Sequence, residues 1–161
     1  MNKKNHAFID GNNLYLGAKS QRINLDYKKL RLYLKTKFNV DKAFIFIGFD
    51  PKNTELYSNL QKIGFILIHK PTIIYFEGGK RQMKGNVDAE LVLYSSAIEY
   101  SNYDKAVIIT SDGDFACLMK FLKDKNKLAK IITPTKHHST LLKPFGEFIL
   151  PLATIKDKVK K

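Results

Sequence analysis

The sequence contains one cysteine, Cys117, and no apolar run long enough to cross a membrane. A single cysteine excludes an internal disulfide and a zinc site built from cysteines. Cys117 lies in the apolar stretch FACLMKFL, so we expect a thiol in or near the core. Residues 1–6 are polar and lack the apolar region of a signal peptide, which predicts a cytoplasmic protein.

Three motifs of large enzyme classes are also missing. The chain has no phosphate loop of the form GxxxxGKS or GxxxxGKT and no GxGxxG dinucleotide turn. It has no GxSxG nucleophile elbow either. The isolated pair Gly78–Gly79 is too short to form a phosphate cradle.

The composition is that of one globular domain with a large positive charge. The 161 residues are 44% apolar and 27% charged, which is sufficient for a buried core. We expect residues 1–155 to form the domain and residues 156–161 to be a basic C-terminal tail that frays.

Lysine and arginine total 28 against 15 acidic residues, a formal charge of +13. Such an excess serves either solubility alone or the binding of a polyanion, whose phosphates release counterions when they are neutralised. Basic residues cluster in 28–37, in 120–127, and in Lys80, Arg81 and Lys84 just before Asp88. Charge alone does not distinguish DNA from RNA.

Short apolar runs alternate with amphipathic segments along the whole chain. Runs stopped by polar turns predict buried parallel strands, and the 3.6-residue periodicity between them predicts helices. Strands are expected at 6–10, 41–49, 65–69, 105–110, 128–133 and 148–150, and helices at 25–38, 54–62, 86–100, 112–125 and 138–143. Residues 11–13 are expected to form a turn that begins a short helix, which continues to about residue 18. A Gly-Gly turn after residues 73–76 predicts a β-hairpin. The pattern indicates a single α/β domain, with helices on both faces of a mostly parallel sheet.

Four aspartates follow buried strands or begin a helix: Asp10, Asp88, Asp112 and Asp114. In an open α/β sheet, chemistry collects at the carboxyl ends of the strands where the strand order reverses. Acids that converge there repel one another unless a divalent cation neutralises them. The sequence therefore favours an acidic metal-binding pocket on a basic protein, which suggests an enzyme that acts on nucleic acid.

Each of these acids also has a structural explanation. Asp10 belongs to IDGNN, a typical turn sequence. Ser111 or Asp112 can cap the helix that follows, and Asp114 can complement its dipole. Asp88 is harder to explain in this way, because it shares the helix face that should dock against the sheet.

Carboxylates without cysteine or histidine favour a hard ion, Mg²⁺ or Mn²⁺. Such an ion polarises a phosphoryl oxygen and activates water for in-line attack. The histidines, His6, His69, His137 and His138, are expected to be surface or capping residues, with a phosphate contact open to His137 or His138.

Three segments stand out together: FIDGNNLY, KGNVDAELVLY and VIITSDGDFACLMKFL. In this order they resemble the signature segments of NYN domains, the LabA/DUF88-like branch of the PIN-like nuclease superfamily. The likeness covers nearly the whole chain. It implies a Rossmann-like PIN fold that binds Mg²⁺ or Mn²⁺ and hydrolyses the phosphodiester bonds of RNA.

The resemblance also implies roles for individual residues. Asp10, Asp88 and Asp112 would be the metal ligands, and Asp114 would be an outer catalytic acid or a structural partner. The residues that bind or orient the substrate would be Asn13, Ser111, Lys80, Arg81 and Lys84.

The chain departs from the family pattern at Tyr94, where many members have a further acid six residues after the middle aspartate. Two functions from different classes are therefore considered. One is a metal-dependent endoribonuclease, and the other is a non-catalytic RNA-binding or regulatory module of the same fold. In both, the expected partner is single-stranded RNA and not a membrane, and the sequence leaves a homodimer open.

Overall fold

A six-stranded sheet forms the centre of the fold. The computed structural model describes residues 3–71, 73–84 and 87–161, and only the backbone of residues 71, 73–74 and 82–84. The sheet consists of β1 (Asn5–Asp10), β2 (Val40–Phe49), β3 (Phe65–Pro71), β6 (Ala106–Ile109), β7 (Leu128–Thr133) and β8 (Ile149–Pro151). All neighbouring pairs in this sheet are parallel, and the predicted α/β fold is confirmed.

The strand order is β3-β2-β1-β6-β7-β8. The chain moves outward from β1 to β3, returns to β6 beside β1, and then moves outward on the other side. The order therefore reverses between β1 and β6, and a crevice is expected outside their carboxyl ends. The short β8 forms one edge of the sheet, as predicted from the sequence.

Helices cover both faces of the sheet. They are α1 (Gly11–Ser20), α2 (Tyr27–Phe38), α3 (Thr54–Ile63), α4 (Asp88–Leu93), α5 (Ala116–Asp124) and α6 (Lys156–Val159). Shorter 3₁₀ segments cover Pro51–Asn53, Tyr100–Asn102, Gly113–Phe115, Thr140–Phe148 and Leu152–Ile155. Across the described ranges, none of the helices has both the length and the apolar character needed to cross a membrane.

Successive side chains of a β-strand point to opposite faces of the sheet, so each strand contributes apolar residues to two cores. In β1, Ala7 and Ile9 join the core on one face, and Phe8 joins the core on the other. The first core includes Leu30 of α2, and the second includes Leu91 of α4. Both faces are thus buried, which explains why the strands are continuously apolar.

The hairpin predicted around Gly78–Gly79 is confirmed. Strands β4 (Ile73–Glu77) and β5 (Lys80–Lys84) pair antiparallel in a two-stranded sheet of their own. Gly78 and Gly79 have φ values of 58° and 74°, which this type of two-residue turn requires at both positions. This arm leaves the carboxyl end of β3 and returns just before α4.

The helix predicted over 86–100 is shorter than expected. Asn86 lies outside the described residues, and α4 changes at Leu93 into a π-helix over Tyr94–Ile98. The Ser95 hydroxyl donates a hydrogen bond of 2.8 Å to the Leu91 carbonyl, and the Ser96 hydroxyl donates to the Val92 carbonyl. These side-chain hydrogen bonds favour a wider turn over the regular helical pattern.

The sequence predictions for Cys117 and His6 are wrong. Cys117 is exposed, because α5 turns Leu118, Met119 and Leu122 toward the sheet instead. His6 lies within β1 with 2% of its surface exposed, and its ring centroid is 5.4 Å from that of Tyr103. Burial lowers the pKa of His6, although carboxylates of Asp41 and Glu99 on either side act in the opposite direction.

The C-terminal residues do not fray, contrary to the prediction from their charge. Val159 of α6 is fully buried in the first core, and its carbonyl accepts a hydrogen bond of 2.8 Å from the Asp26 backbone N–H. The Lys161 backbone N–H donates to the Asn24 carbonyl at 2.8 Å. One apolar side chain and backbone pairing therefore hold a segment whose other side chains are all charged.

The packing of α6 predicts a measurable stability. Val159→Ala should lower the free energy of unfolding by about 2 kcal/mol, because it leaves a cavity in the core. Lys158→Ala, at the exposed neighbouring position, is the matched control and should have little effect. Urea denaturation of both variants measures the difference. Equal stability of Val159→Ala and the wild type would show that the segment frays after all.

Candidate functional site

The acids predicted from the sequence lie at the crevice where the strand order reverses. Asp10 is the last residue of β1, and Asp112 follows the neighbouring strand β6. Asp88 is the first residue of α4, and Asp114 belongs to the 3₁₀ turn over Gly113–Phe115. Acids from three segments that are distant in sequence therefore reach one edge of the sheet.

Two glycines allow the turns that carry the acids to pack closely. A Cβ at Gly11 would lie 2.9 Å from Cγ2 of Ile45. A Cβ at Gly113 would lie 2.2 Å from Oγ of Ser139. Any larger residue would force either the turn or the neighbouring side chain to shift, so the glycines in DGN and DGD have a packing role.

Thr110 links two of the acids, a role that was not predicted from the sequence. Its hydroxyl donates to Oδ2 of Asp10 at 3.2 Å and accepts from the Asp112 backbone N–H at 3.1 Å. Thr110 is fully buried, so its hydroxyl requires such partners. The available signal was a polar β-branched residue at the end of an apolar strand, directly before SDGD.

Backbone donors orient the same carboxylates. Asp10 caps α1 and accepts a hydrogen bond of 3.2 Å from the Asn13 N–H at Oδ1. Oδ1 of Asp112 accepts from the Asp114 N–H at 2.9 Å and caps the 3₁₀ turn. The capping role considered from the sequence is therefore present, together with the convergence of the acids.

Asn13 and Ser111 connect the two turns. Oδ1 of Asn13 accepts from the Ser111 N–H at 2.8 Å, and the Ser111 hydroxyl accepts from the Thr135 N–H at 3.1 Å. These contacts hold the turn after β1 against the turn after β6. The expected contact of Asn13 or Ser111 with substrate stays a prediction.

The carboxylates of Asp88, Asp112 and Asp114 form the tightest acidic group at this edge. Each offers one oxygen, and these oxygens lie within 4.8 Å of one another. In the described ranges, Asp10 is not in this group, but it is near enough for the charges of Asp88 and Asp112 to affect its pKa. The structure thus brings Asp114 into the group, and a role of Asp10 as a ligand stays a prediction.

Asp10 has an environment that opposes its charge. It is 8% exposed, and burial raises its pKa from an ordinary value of 3.8 to about 6. The charges of Asp88 and Asp112 raise the pKa further, whereas the hydrogen bonds from Asn13 and Thr110 lower it. A carboxyl that titrates near neutral pH is typical of functional sites.

The donor set fits a hard divalent ion. The grouped ligand atoms are all carboxylate oxygens, which Mg²⁺ and Mn²⁺ prefer over softer ligands. Asp88 and Asp112 are partly buried and Asp114 is exposed, so the group is open to solvent on one side. An ion there would retain water ligands, as Mg²⁺ usually does in proteins.

Position 94 is a tyrosine and adds no carboxylate to this group. Its ring packs inward. Its centroid lies 5.5 Å from the Phe46 ring and 6.2 Å from the Phe44 ring, both on β2. The position where a further family acid is expected is therefore part of the aromatic core in this chain.

The basic residues of the hairpin lie on the strand that precedes α4 in the chain. Lys80 and Arg81 are exposed on β5, and the side chain of Lys84 lies outside the described residues. At the base of the arm, Nζ of Lys70 lies 3.6 Å from Oε1 of Glu90 on α4. This ion pair joins the end of β3 to the helix that carries Asp88.

The raised pKa of Asp10 predicts a characteristic dependence of stability on pH. The folded state binds the proton more tightly than the unfolded chain, so stability is greatest below pH 4 and falls as the pH rises to 6. Asp10→Asn removes this loss. In EDTA, its free energy of unfolding relative to wild type should rise by up to about 3 kcal/mol between pH 4 and pH 7.

Urea denaturation across this pH range checks the prediction, with Asp124→Asn as the control. Asp124 is an exposed acid whose pKa is lowered by its hydrogen bond to Lys120, so its variant should show no such rise. If the free energies of unfolding of Asp10→Asn and the wild type differ by the same amount at every pH, the raised pKa of Asp10 is contradicted.

Comparison with known proteins agrees with this architecture. The chain is similar to a protein of unknown function from Vibrio parahaemolyticus, whose crystal structure has a TM-score of 0.73 and 22% identity. The match covers 99% of this chain and 97% of that chain, and at this identity it shows the fold alone. No curated protein matches the sequence. The family model of the NYN domain matches residues 6–149, a range that contains all four acids, and the chain therefore belongs to the NYN domain family.

Proposed function

We propose that this protein is a Mg²⁺- or Mn²⁺-dependent endoribonuclease of the LabA-like branch of the NYN family. The observation that carries the proposal is the group of Asp88, Asp112 and Asp114, whose oxygens lie within 4.8 Å of one another beside Asp10. Related PIN-like nucleases generally use divalent metals, and the preference for RNA rests on this family relationship.

The residues at the site would have different roles. A divalent ion bound there supplies the polarisation of a phosphoryl oxygen and the activation of water for in-line attack. Asp88, Asp112 and Asp114 would hold the ion, and Asp10 would add a further negative charge above a pH of about 6. Thr110 keeps the Asp10 carboxylate oriented through its hydrogen bond to Oδ2.

The opposite charges of the site and the surface support a polyanionic substrate. The net charge is +13, yet the crevice is acidic, so phosphates approaching it are repelled until cations hold the strand nearby. Lys80 and Arg81 are exposed on the arm that leads into α4. The same arm exposes Phe76 by 75%, and exposed aromatic rings among cations are a common platform for single-stranded RNA.

One observation favours the second candidate, a non-catalytic RNA-binding or regulatory module. Tyr94 packs on Phe46 at the position where many family members have an acid. Such a protein would keep the basic surface and the fold but hydrolyse RNA slowly or not at all. Binding without cleavage in the presence of Mg²⁺ or Mn²⁺ would identify the module.

Replacing one carboxylate of the group tests the enzyme directly. Asp112→Asn should reduce Mn²⁺-dependent cleavage of a generic single-stranded RNA by at least about a hundredfold, because it weakens the coordination of the ion. It should remain folded in EDTA, since asparagine still accepts the capping hydrogen bond. Gel assays of cleavage and circular dichroism measure the two properties.

The same variant should bind the ion more weakly. Mn²⁺ at a hundredfold excess over its dissociation constant should raise the melting temperature of the wild type by about 5 °C or more, and much less in Asp112→Asn. Asp124→Asn, an exposed acid on α5, is the control and should resemble the wild type in both assays. Full activity of Asp112→Asn would exclude its carboxylate as a ligand.

The arm can be tested separately from the chemistry. Neutralising Lys80, Arg81 and Lys84 to glutamine should flatten the dependence of RNA affinity on salt by about two units, since each lost phosphate contact removes roughly 0.7 units for a single strand. Filter binding at several salt concentrations, with Ca²⁺ in place of Mn²⁺, measures the slope.

The matched variant neutralises Lys28, Lys35 and Lys37, which are exposed on α2. It changes the net charge equally but should leave the slope nearly unchanged. The reverse result, with the larger effect from α2, would place the path of the RNA on that helix.

A further inference from the structure

An open groove of about 460 Å³ lies directly beside the acids. It is lined by two of them, Asp88 and Asp114, and by Val92, Leu93, Ser96 and Phe115. Its volume lies within the range of about 300–1,000 Å³ that is typical of small-molecule sites. Two members of the carboxylate group thus form one rim of the groove, so a ligand held at the acids necessarily adjoins it.

The apolar wall of this groove lies at the end of α4, where the helix changes into the π-helix over Tyr94–Ile98. Tyr94 turns inward onto Phe46, while Leu93 beside it is 51% exposed. The hydroxyl of Ser96 is used within the helix by its hydrogen bond to the Val92 carbonyl. A largely apolar wall therefore stands exposed next to carboxylates.

We propose that this groove binds one nucleobase of single-stranded RNA, the base next to the phosphate held at the acids. The proposal rests on the proposed function. A base is uncharged and has two apolar faces, which pack against apolar or aromatic side chains when the strand is unstacked. The carboxylates on the rim repel a second phosphate, but they accept hydrogen bonds from an exocyclic amino group.

The absence of tryptophan from the chain allows a direct test. Leu93→Trp places a single fluorescent ring in the groove, and Leu32→Trp places one on α2, where Leu32 is 58% exposed. Helix α2 packs on the opposite face of the sheet from α4, so Leu32→Trp is the matched control. The probe is a ten-nucleotide 2′-O-methyl oligoadenylate in Mg²⁺, with an abasic version of the same length.

We expect the oligoadenylate to quench the fluorescence of Leu93→Trp and not that of Leu32→Trp, and the abasic version to quench neither. The larger ring should also raise affinity for the oligoadenylate about fivefold. Leu93→Ser should lower it about fivefold without changing affinity for the abasic strand. The comparison of Leu93→Ser with wild type decides the question if Leu93→Trp does not fold.

Two results would overturn the proposal, and they are distinguishable. If Mg²⁺ stabilises the wild type and the oligomer binds, but quenching and the base-dependent effect of Leu93→Ser are absent, the groove is wrong and the proposed function stands. If the wild type shows neither stabilisation by Mg²⁺ nor binding of the oligomer, the proposed function fails and the base site fails with it.

Discussion

Repulsion among carboxylates is the constraint on which the arrangement of the sheet edge depends. Three carboxylates lie within 4.8 Å of one another, and the buried Asp10 beside them has a pKa raised to about 6. Hydrogen bonds from backbone N–H groups and from the Thr110 hydroxyl oppose this repulsion by orienting the oxygens of Asp10 and Asp112. The donors belong to helix starts and to the end of a buried strand, so the fold fixes the orientation of these two carboxylates.

The remainder of the fold determines where the acids lie at this edge of the sheet. Parallel strands with both faces buried place their carboxyl ends side by side, and the reversal between β1 and β6 leaves room above them. Close packing of Gly11 against Ile45 and of Gly113 against Ser139 fixes the two turns, and the hydrogen bond from the Ser111 N–H to Asn13 joins them. Asp88 reaches the same place from α4, which the Lys70–Glu90 ion pair connects to the end of β3.

The helix after Asp88 shows how local polar groups shape a surface. Serines at 95 and 96 donate to carbonyls of the preceding turn, and the helix widens there into a π-helix. Where the helix changes type, the Tyr94 ring packs on the aromatic core, while Leu93 is exposed beside the acids. The side chain at position 94 thus contributes to packing, and an apolar wall lies next to the acids.

The sequence by itself determined the strands, the hairpin, the fold class and the four acids near one edge, because these depend on short-range periodicity and on residues that end strands. It did not reveal the Thr110 bridge, the burial of His6 or the docking of Val159, since each depends on partners distant in the chain. It also assigned Asp114 a secondary role. Only the tertiary structure decided which carboxylates share one site, because distances between acids on separate elements are set by packing across the sheet and not by spacing along the chain.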